Sequence, residues 1–270
     1  MTRPEWAPPD VDIERPSVAR VYDYNLGGSH NFAADRALAE HLANVIPDMP
    51  AANRANRALL RRIVRFLADA GIDQYLDLGS GIPTVGNVHE VARRSRPDSR
   101  VVYVDIDPVA AAHARAILAD DPRCGVVLAD LRDVDIVLGS PQVTSLLDFS
   151  RPVAVLILAV LHFVPDASDP AGVIGRYRDA TAQGGSYLAI SHGTGVEDDQ
   201  QAVLADATRR ASMDVAPRGR DEVERLFAGY DLVEPGVVYA PLWRPEPDQV
   251  DEFDGDHRRS RLLAGVGVRH

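Results

Sequence analysis

The stretch Tyr75–Thr84, YLDLGSGIPT, decides how this chain is read. Mostly apolar residues run into Gly79-Ser80-Gly81, and Pro83 follows. That order predicts a strand, a glycine-rich turn and a helix start, because proline is tolerated in the first helical turn. Glycines in such a turn let the backbone pass close to a ligand with no Cβ in the way. A dinucleotide loop would carry a third glycine where this chain has Thr84, which leaves the ligand to be decided by the surrounding chemistry.

Asp77 stands two residues before Gly79, at the end of the expected strand. A carboxylate there would repel a pyrophosphate and favours a cation. S-adenosylmethionine fits: it carries an ammonium and a sulfonium and no phosphate. Asp105, 24 residues after Gly81 in VVYVDIDP, sits where a strand-end carboxylate can accept both ribose hydroxyls. Nicotinamide enzymes share that feature, so it does not separate the two cofactors. Asp107 is its rival, but Asp107-Pro108 reads as a helix start. Asp130 in LADLRD follows the third strand and suits the adenine amino group, with Leu131 against the ring. Ile106 and Ala159, at the ends of the second and fourth strands, join the expected cofactor set. Each aspartate alone reads more often as a helix N-cap than as a ligand; together, at successive strand ends, they indicate a cofactor site.

The rest of the chain agrees with one α/β arrangement. Strands are expected at Gln74–Leu78, Val101–Asp105, Gly125–Ala129, Val153–Ala159, Ser186–His192, Asp231–Glu234 and Leu262–Val268. Helices are expected at Val85–Ser95, Val109–Leu118, within Asp133–Ser145, at Pro170–Ala182 and at Asp221–Phe227, with another within Asp198–Ser212. Alternating strands and helices imply a mostly parallel sheet covered on both faces. Before them, Val18–Leu26, Ala33–Val45 and Ala51–Ala70 read as helices, and residues 1–16 as a poorly ordered arm. The expected division is a helical cover over residues 1–70 and a Rossmann-like domain over 71–270.

Bulk properties narrow the function. The chain has 270 residues and a net charge of −11, which argues against a nucleic-acid backbone as partner. All 29 basic Lys+Arg residues are arginine, so lysine-based Schiff-base, P-loop and kinase chemistry is excluded. The single cysteine, Cys124, allows no internal disulfide. The proline-rich, acidic N-terminus does not read as a signal peptide, and no apolar run is long enough to span a bilayer. The expectation is a cytoplasmic protein with no membrane partner. No compact metal-ligand motif stands out, HGTGVEDD being weak alone, and a homodimer is one option for its assembly.

At this point the chain resembles the class I S-adenosylmethionine-dependent methyltransferases. More narrowly it resembles a bacterial family of S-adenosyl methyltransferases whose substrates are mostly unassigned. The resemblance rests on ARVYDYNLGGSHNFAADR, NRANRALLRR, LDLGSGIPT, NVHEVA, VVYVDIDP, ADLRD, LDFSRPVAVLILAVLHFVPD and GSYLAISH, from about Ala19 to His192. It implies a seven-stranded doubly wound sheet with the last strand antiparallel, an N-terminal helical cover and S-adenosylmethionine as cofactor. By position it assigns the loop to Asp77, Gly79 and Gly81, the ribose to Asp105, and adenine to Asp130 and Leu131. Pro83 stands where the wider superfamily usually has glycine.

Methyl transfer asks chiefly for a positioned nucleophile and the exclusion of water; an O or N acceptor can also need a base. His162, after the fourth strand, is the candidate base, its alternative being a histidine packed beneath the cofactor. His192, closing the fifth strand, is a weaker candidate, and His89, inside the first crossover helix, reads as structural. In VYDYNLGGSHNF, Gly27-Gly28 interrupts a helix among Tyr22, Tyr24, Asn25, His30, Asn31 and Phe32. This block reads either as a lid with a glycine hinge or as a turn between core helices. Arg54 and Arg57 share a helix face and suit either a ligand carboxylate or a solvated surface. The expected activity is methyl transfer to O or N of a small molecule. A non-catalytic cofactor-binding sensor and a nicotinamide-dependent oxidoreductase are the alternatives.

Overall fold

The computed structural model describes residues 7, 11–83, 86–195, 200, 206 and 215–270. Thr84, Val85 and nearly all of the expected Asp198–Ser212 helix lie outside the described residues, as do residues 196–199 of HGTGVEDD.

Strand β1 (Gln74–Leu78) is buried along its whole length. It pairs in parallel with β2 (Arg100–Asp105) on one side and β4 (Ala154–Leu158) on the other. Chain order then builds outward: β3 (Cys124–Leu128) beside β2, and β5 (Ser186–Gly193) beside β4, all parallel. Strand β8 (Leu262–Arg269) closes antiparallel on β5, and β6 (Asp231–Leu232) pairs with β8, giving the order β3-β2-β1-β4-β5-β8-β6. The seven expected strands are all present. An eighth, the two-residue β7 (Val238–Tyr239), pairs with the other end of β8. It is too short to show a pattern in sequence. The order reverses between β1 and β4, and in such sheets a ligand crevice opens there, at the carboxyl ends of the strands.

Period-two alternation divides the sheet residues between two cores. Tyr75, Tyr103 and Leu156 pack with α3 (Met49–Asp69), α4 (Val88–Ser95) and α5 (Pro108–Ile117). Leu76, Val102 and Val155 pack with α6 (Val134–Leu138), α7 (Pro141–Leu146), α8 (Pro170–Ala180) and α9 (Arg220–Arg225). Helix α3 lays Leu59, Ile63, Val64 and Leu67 on the first core at helical spacing. It starts two residues before the expected Ala51 because Pro50 sits in its first turn, where no N–H is needed. The segment within Asp133–Ser145 resolves into two short helices, parted at Gly139-Ser140 with Pro141 opening the second.

Helices α1 (Val18–Asn25) and α2 (Ala33–Val45) pair with each other, and both pack against α3. The expectation of a loose arm needs correction for its later part. Val11 is buried, joining Phe32, Ile82, Val109 and Ala110 in a separate apolar cluster against α5. Its apolar residues Val11 and Ile13 were too few to register as an element. Among the described residues no helix is long and apolar enough to cross a membrane, and no group of three or more ligating side chains is placed to hold a metal.

Candidate functional site

A cavity of about 680 Å³ lies over the carboxyl ends of β1 to β4. The glycine loop forms its floor. Gly79 has φ +78° and faces Val160, whose Cγ2 would lie 2.3 Å from an added Cβ. Gly81 has φ +66°, and nothing stands within 4 Å of where its Cβ would be. Both conformations favour glycine, and the second leaves open space at the cavity surface. The Gly81 N–H donates to Asp105 Oδ2 at 2.6 Å, and the Asp107 N–H donates to Asp105 Oδ1 at 2.8 Å. This binds the β1 loop to the end of β2.

Two buried carboxylates face the cavity. Asp77 is 4% exposed, and among the described residues nothing hydrogen-bonds to it. Burial pushes its pKa up to about 7, against the opposing charge of Arg57 and with that of Asp105 adding. Burial likewise raises Asp105 to about 6, opposed by the N–H groups of Asp107 and Gly81. An unpaired buried carboxylate is costly, and a bound cation would offset that cost. Ile106 is 64% exposed on the cavity rim, an apolar surface suited to a flat ring. Leu131 and Ala129 continue that surface at the end of β3. Asp130 is already paired with its neighbour, accepting from Arg132 Nε at 2.9 Å. Ala159, with φ +58°, ends β4 at the other side of the cavity.

The structure therefore brings Asp77, Gly79, Gly81, Asp105, Ile106, Asp130, Leu131 and Ala159 to one cavity, with Tyr22 and Arg57. Asp107, the rival of Asp105, caps α5: its Oδ1 accepts from the N–H groups of Val109 and Ala110.

Other candidates are not brought there. His162 does not line the cavity. Its Nδ1 accepts from the Gly193 N–H at 3.2 Å, and burial with the neighbouring His192 and Arg218 pushes its pKa down to about 3. The nitrogen that would act as base is occupied, which removes the physical support for that role. Arg218 explains the packing. Its guanidinium donates to the carbonyls of Leu161 and Val164 and to His192 Nε2, locking the turn after β4 from behind. Tyr24, Gly27, Gly28, Asn31 and Phe32 also lie away from the cavity. Gly28 packs on the buried Asp23 carboxylate with no room for a Cβ, and Asp23 Oδ2 accepts from the His30 N–H and from Asn31. This block is a pinned turn between α1 and α2 rather than a hinge. Arg54 is likewise engaged away from the cavity, in an ion pair with Glu252.

Sequence reasoning missed three contributors. Val11, Asp12 and residues 15–20 line the cavity from above, and Asn56 and Leu60 line it from α3. Asn56 falls on the same stripe of α3 as Asn53 and Leu60, one turn on either side, the one signal available in advance.

A doubly wound sheet in this order, with an acidic residue before a two-glycine loop and a carboxylate closing the second strand, has the class I methyltransferase architecture. The chain belongs to the S-adenosyl methyltransferase family, whose model matches residues 4–270, and S-adenosylmethionine is the cofactor of this enzyme family. A crystal structure assigned as a methyltransferase from Thermobifida fusca YX is 46% identical, covers 98% of this chain and 99% of its own, and superposes with a TM-score of 0.90. A DUF574 family protein from Streptomyces avermitilis MA-4680 is 36% identical over 96% and 99%, with the same TM-score of 0.90. The ribosomal RNA small subunit methyltransferase H of Halorhodospira halophila is 45% identical over 49 residues only, which is 18% of this chain and 15% of that protein. The family assignment sets the nicotinamide reading aside.

Proposed function

We propose that this enzyme transfers a methyl group to an oxygen or nitrogen atom of a small-molecule acceptor. Asp77 carries the cofactor part of this reading: it is a buried carboxylate, without a hydrogen bond among the described residues, facing a cavity beside a glycine loop. It pairs with the ammonium of the cofactor. Asp105 accepts from the ribose hydroxyls, Ile106 and Leu131 hold adenine, and Asp130 meets its amino group. Gly79, Gly81 and Ala159 let the backbone approach closely. Residues 1–70 act as the cover and 71–270 as the cofactor domain, with Val11–Tyr22 and Arg57 closing the cavity.

When bound, S-adenosylmethionine would supply an electrophilic methyl carbon whose bond to sulfur breaks, its electron pair staying on sulfur, as the acceptor lone pair bonds to the carbon and the acceptor's proton passes to solvent. The protein's part is to orient the acceptor and exclude water. The roof that α1 and the preceding segment lay over the cavity supports a small acceptor.

The test is incubation with methyl-labelled S-adenosylmethionine and a library of small amines and hydroxy compounds. S-adenosylhomocysteine appearing with a labelled low-molecular-weight product supports the proposal. Label recovered only in protein or RNA overturns it.

A further inference from the structure

We propose that Tyr22, held in place by Asn56 and behind it Ser191, forms the acceptor-binding wall of the cavity, selecting an acceptor that carries an N–H or O–H on an otherwise apolar body. This rests on the assignment of Asp77 and Asp105 to the cofactor. The sheet order supplies the direction. Asp130 and Asp105 stand at the ends of β3 and β2, Asp77 belongs to β1, and β4 and β5 follow on the far side. A cofactor whose nucleoside lies over β2 and β3 and whose ammonium meets Asp77 leaves its methyl group toward β4. Ser191 of β5 is the register partner of Leu158 of β4, and the Ala159 N–H donates to the Ser191 carbonyl at 2.9 Å. Ser191 therefore marks the acceptor side.

From there a hydrogen-bond chain reaches the cavity. The Ser191 hydroxyl donates to Asn56 Oδ1 at 2.6 Å, and both residues are buried. The Tyr22 proton goes to the Asn53 carbonyl, so the amide end that faces Tyr22 is the donating Nδ2. Asn56 Nδ2 then donates to the Tyr22 oxygen at 3.2 Å, and the Tyr22 hydroxyl donates to the Asn53 carbonyl at 3.1 Å. A phenol has one proton and two acceptor positions. The proton and one acceptor position are used, so Tyr22 presents its remaining lone pair, which can only accept. A group with a proton to donate is bound there. Leu60, Leu158, Val160 and Phe163 make the neighbouring surface apolar. Tyr22 touches the acceptor in this arrangement. Asn56 and Ser191 are positioning residues that hold its oxygen in this donor-accepting state.

Two cofactor analogues test this without knowing the acceptor. S-adenosylhomocysteine lacks the methyl group, and sinefungin carries an amine in its place, which directs an N–H toward the acceptor side. Calorimetry on the unaltered protein and on Tyr22→Phe, Asn56→Leu and Ser191→Ala compares the two. In Tyr22→Phe the preference for sinefungin over S-adenosylhomocysteine falls about tenfold, with S-adenosylhomocysteine affinity kept within about twofold. Ser191→Ala, which leaves Tyr22 in place, lowers the same ratio by a smaller factor. An unchanged ratio in Tyr22→Phe, or equal weakening of both ligands, overturns the acceptor wall. Failure of the unaltered protein to bind S-adenosylhomocysteine overturns the cofactor assignment beneath it.

Discussion

The backbone N–H of Gly81 donates to the carboxylate of Asp105 at 2.6 Å, so the loop after β1 and the end of β2 are joined by one charge-assisted bond. Two features read separately in sequence, a glycine and an aspartate 24 residues apart, thus form one unit. Asp105→Ala removes both the loop anchor and the expected ribose partner. It should weaken S-adenosylhomocysteine binding by about 10- to 100-fold, in line with 1.5–3 kcal/mol for a hydrogen bond to a charged group. Titration calorimetry against a urea unfolding curve separates affinity from stability. A variant that unfolds more easily yet binds as before refutes the assignment.

Asp77 predicts a pH dependence. Its pKa in the folded protein is raised from 3.8 to about 7. Between about pH 4 and 7 the folded state holds a proton that the unfolded state has lost. The stability linked to Asp77 is fully present below about pH 4 and is lost as pH rises to about 7. A bound ammonium favours the ionised carboxylate. S-adenosylhomocysteine affinity should therefore climb as pH rises toward 7, with proton release on binding near pH 6. Calorimetry in two buffers of different ionisation enthalpy measures that proton. Asp77→Asn should abolish most of its release, and equal heats in both buffers for the unaltered protein count against it.

The two loop glycines should respond differently to alanine. Gly79→Ala forces a Cβ into Val160 at a backbone angle of +78°, so the fold should lose roughly 1–3 kcal/mol from strain alone, with the clash added. Val160→Ala in the same chain should recover part of that loss. Gly81→Ala meets open space, and only the left-handed backbone costs, about 1–2 kcal/mol. Its added methyl group enters the cavity, so cofactor affinity should fall further than stability. Denaturation midpoints and binding constants for the three variants check the contrast.

Arg20 ties the cover to the cofactor side of the sheet. Its guanidinium, 4% exposed, pairs with Asp35 of α2 at 2.9 Å and reaches Asp107, the cap of α5, at 3.5 Å. Arg20→Met leaves two buried carboxylates without their cation. Loss of one partner of a buried pair costs roughly 3–5 kcal/mol, so unfolding should move to markedly lower urea. Arg20→Lys should recover only part, because one ammonium does not reproduce the guanidinium's separated donors.

Much of this architecture was legible beforehand because its signals are local. Val153–Ala159 is apolar on both faces and could only be a central strand. Asp107-Pro108 is a cap followed by a residue suited to the first turn. Asp77, Asp105 and Asp130 were found because alternating strands and helices carry every strand end to the same edge of the sheet. The covering layer was harder. The pinned turn at Gly28 looks like a hinge until Asp23 is seen against it. His162 looks like a base until Gly193 is found bonded to its ring nitrogen.

The residues of YLDLGSGIPT and its neighbours by themselves determined the strands, the loop and the charge offered to the cofactor, because hydrophobic periodicity and turn chemistry mark them. Tertiary structure alone decided what faces the acceptor. Ser191 and Asn56 lie 135 residues apart, and Arg218 donates to the carbonyl of Leu161, 57 residues before it. Such contacts depend on how α3 and the N-terminal segment settle on the sheet, and no local pattern encodes that docking.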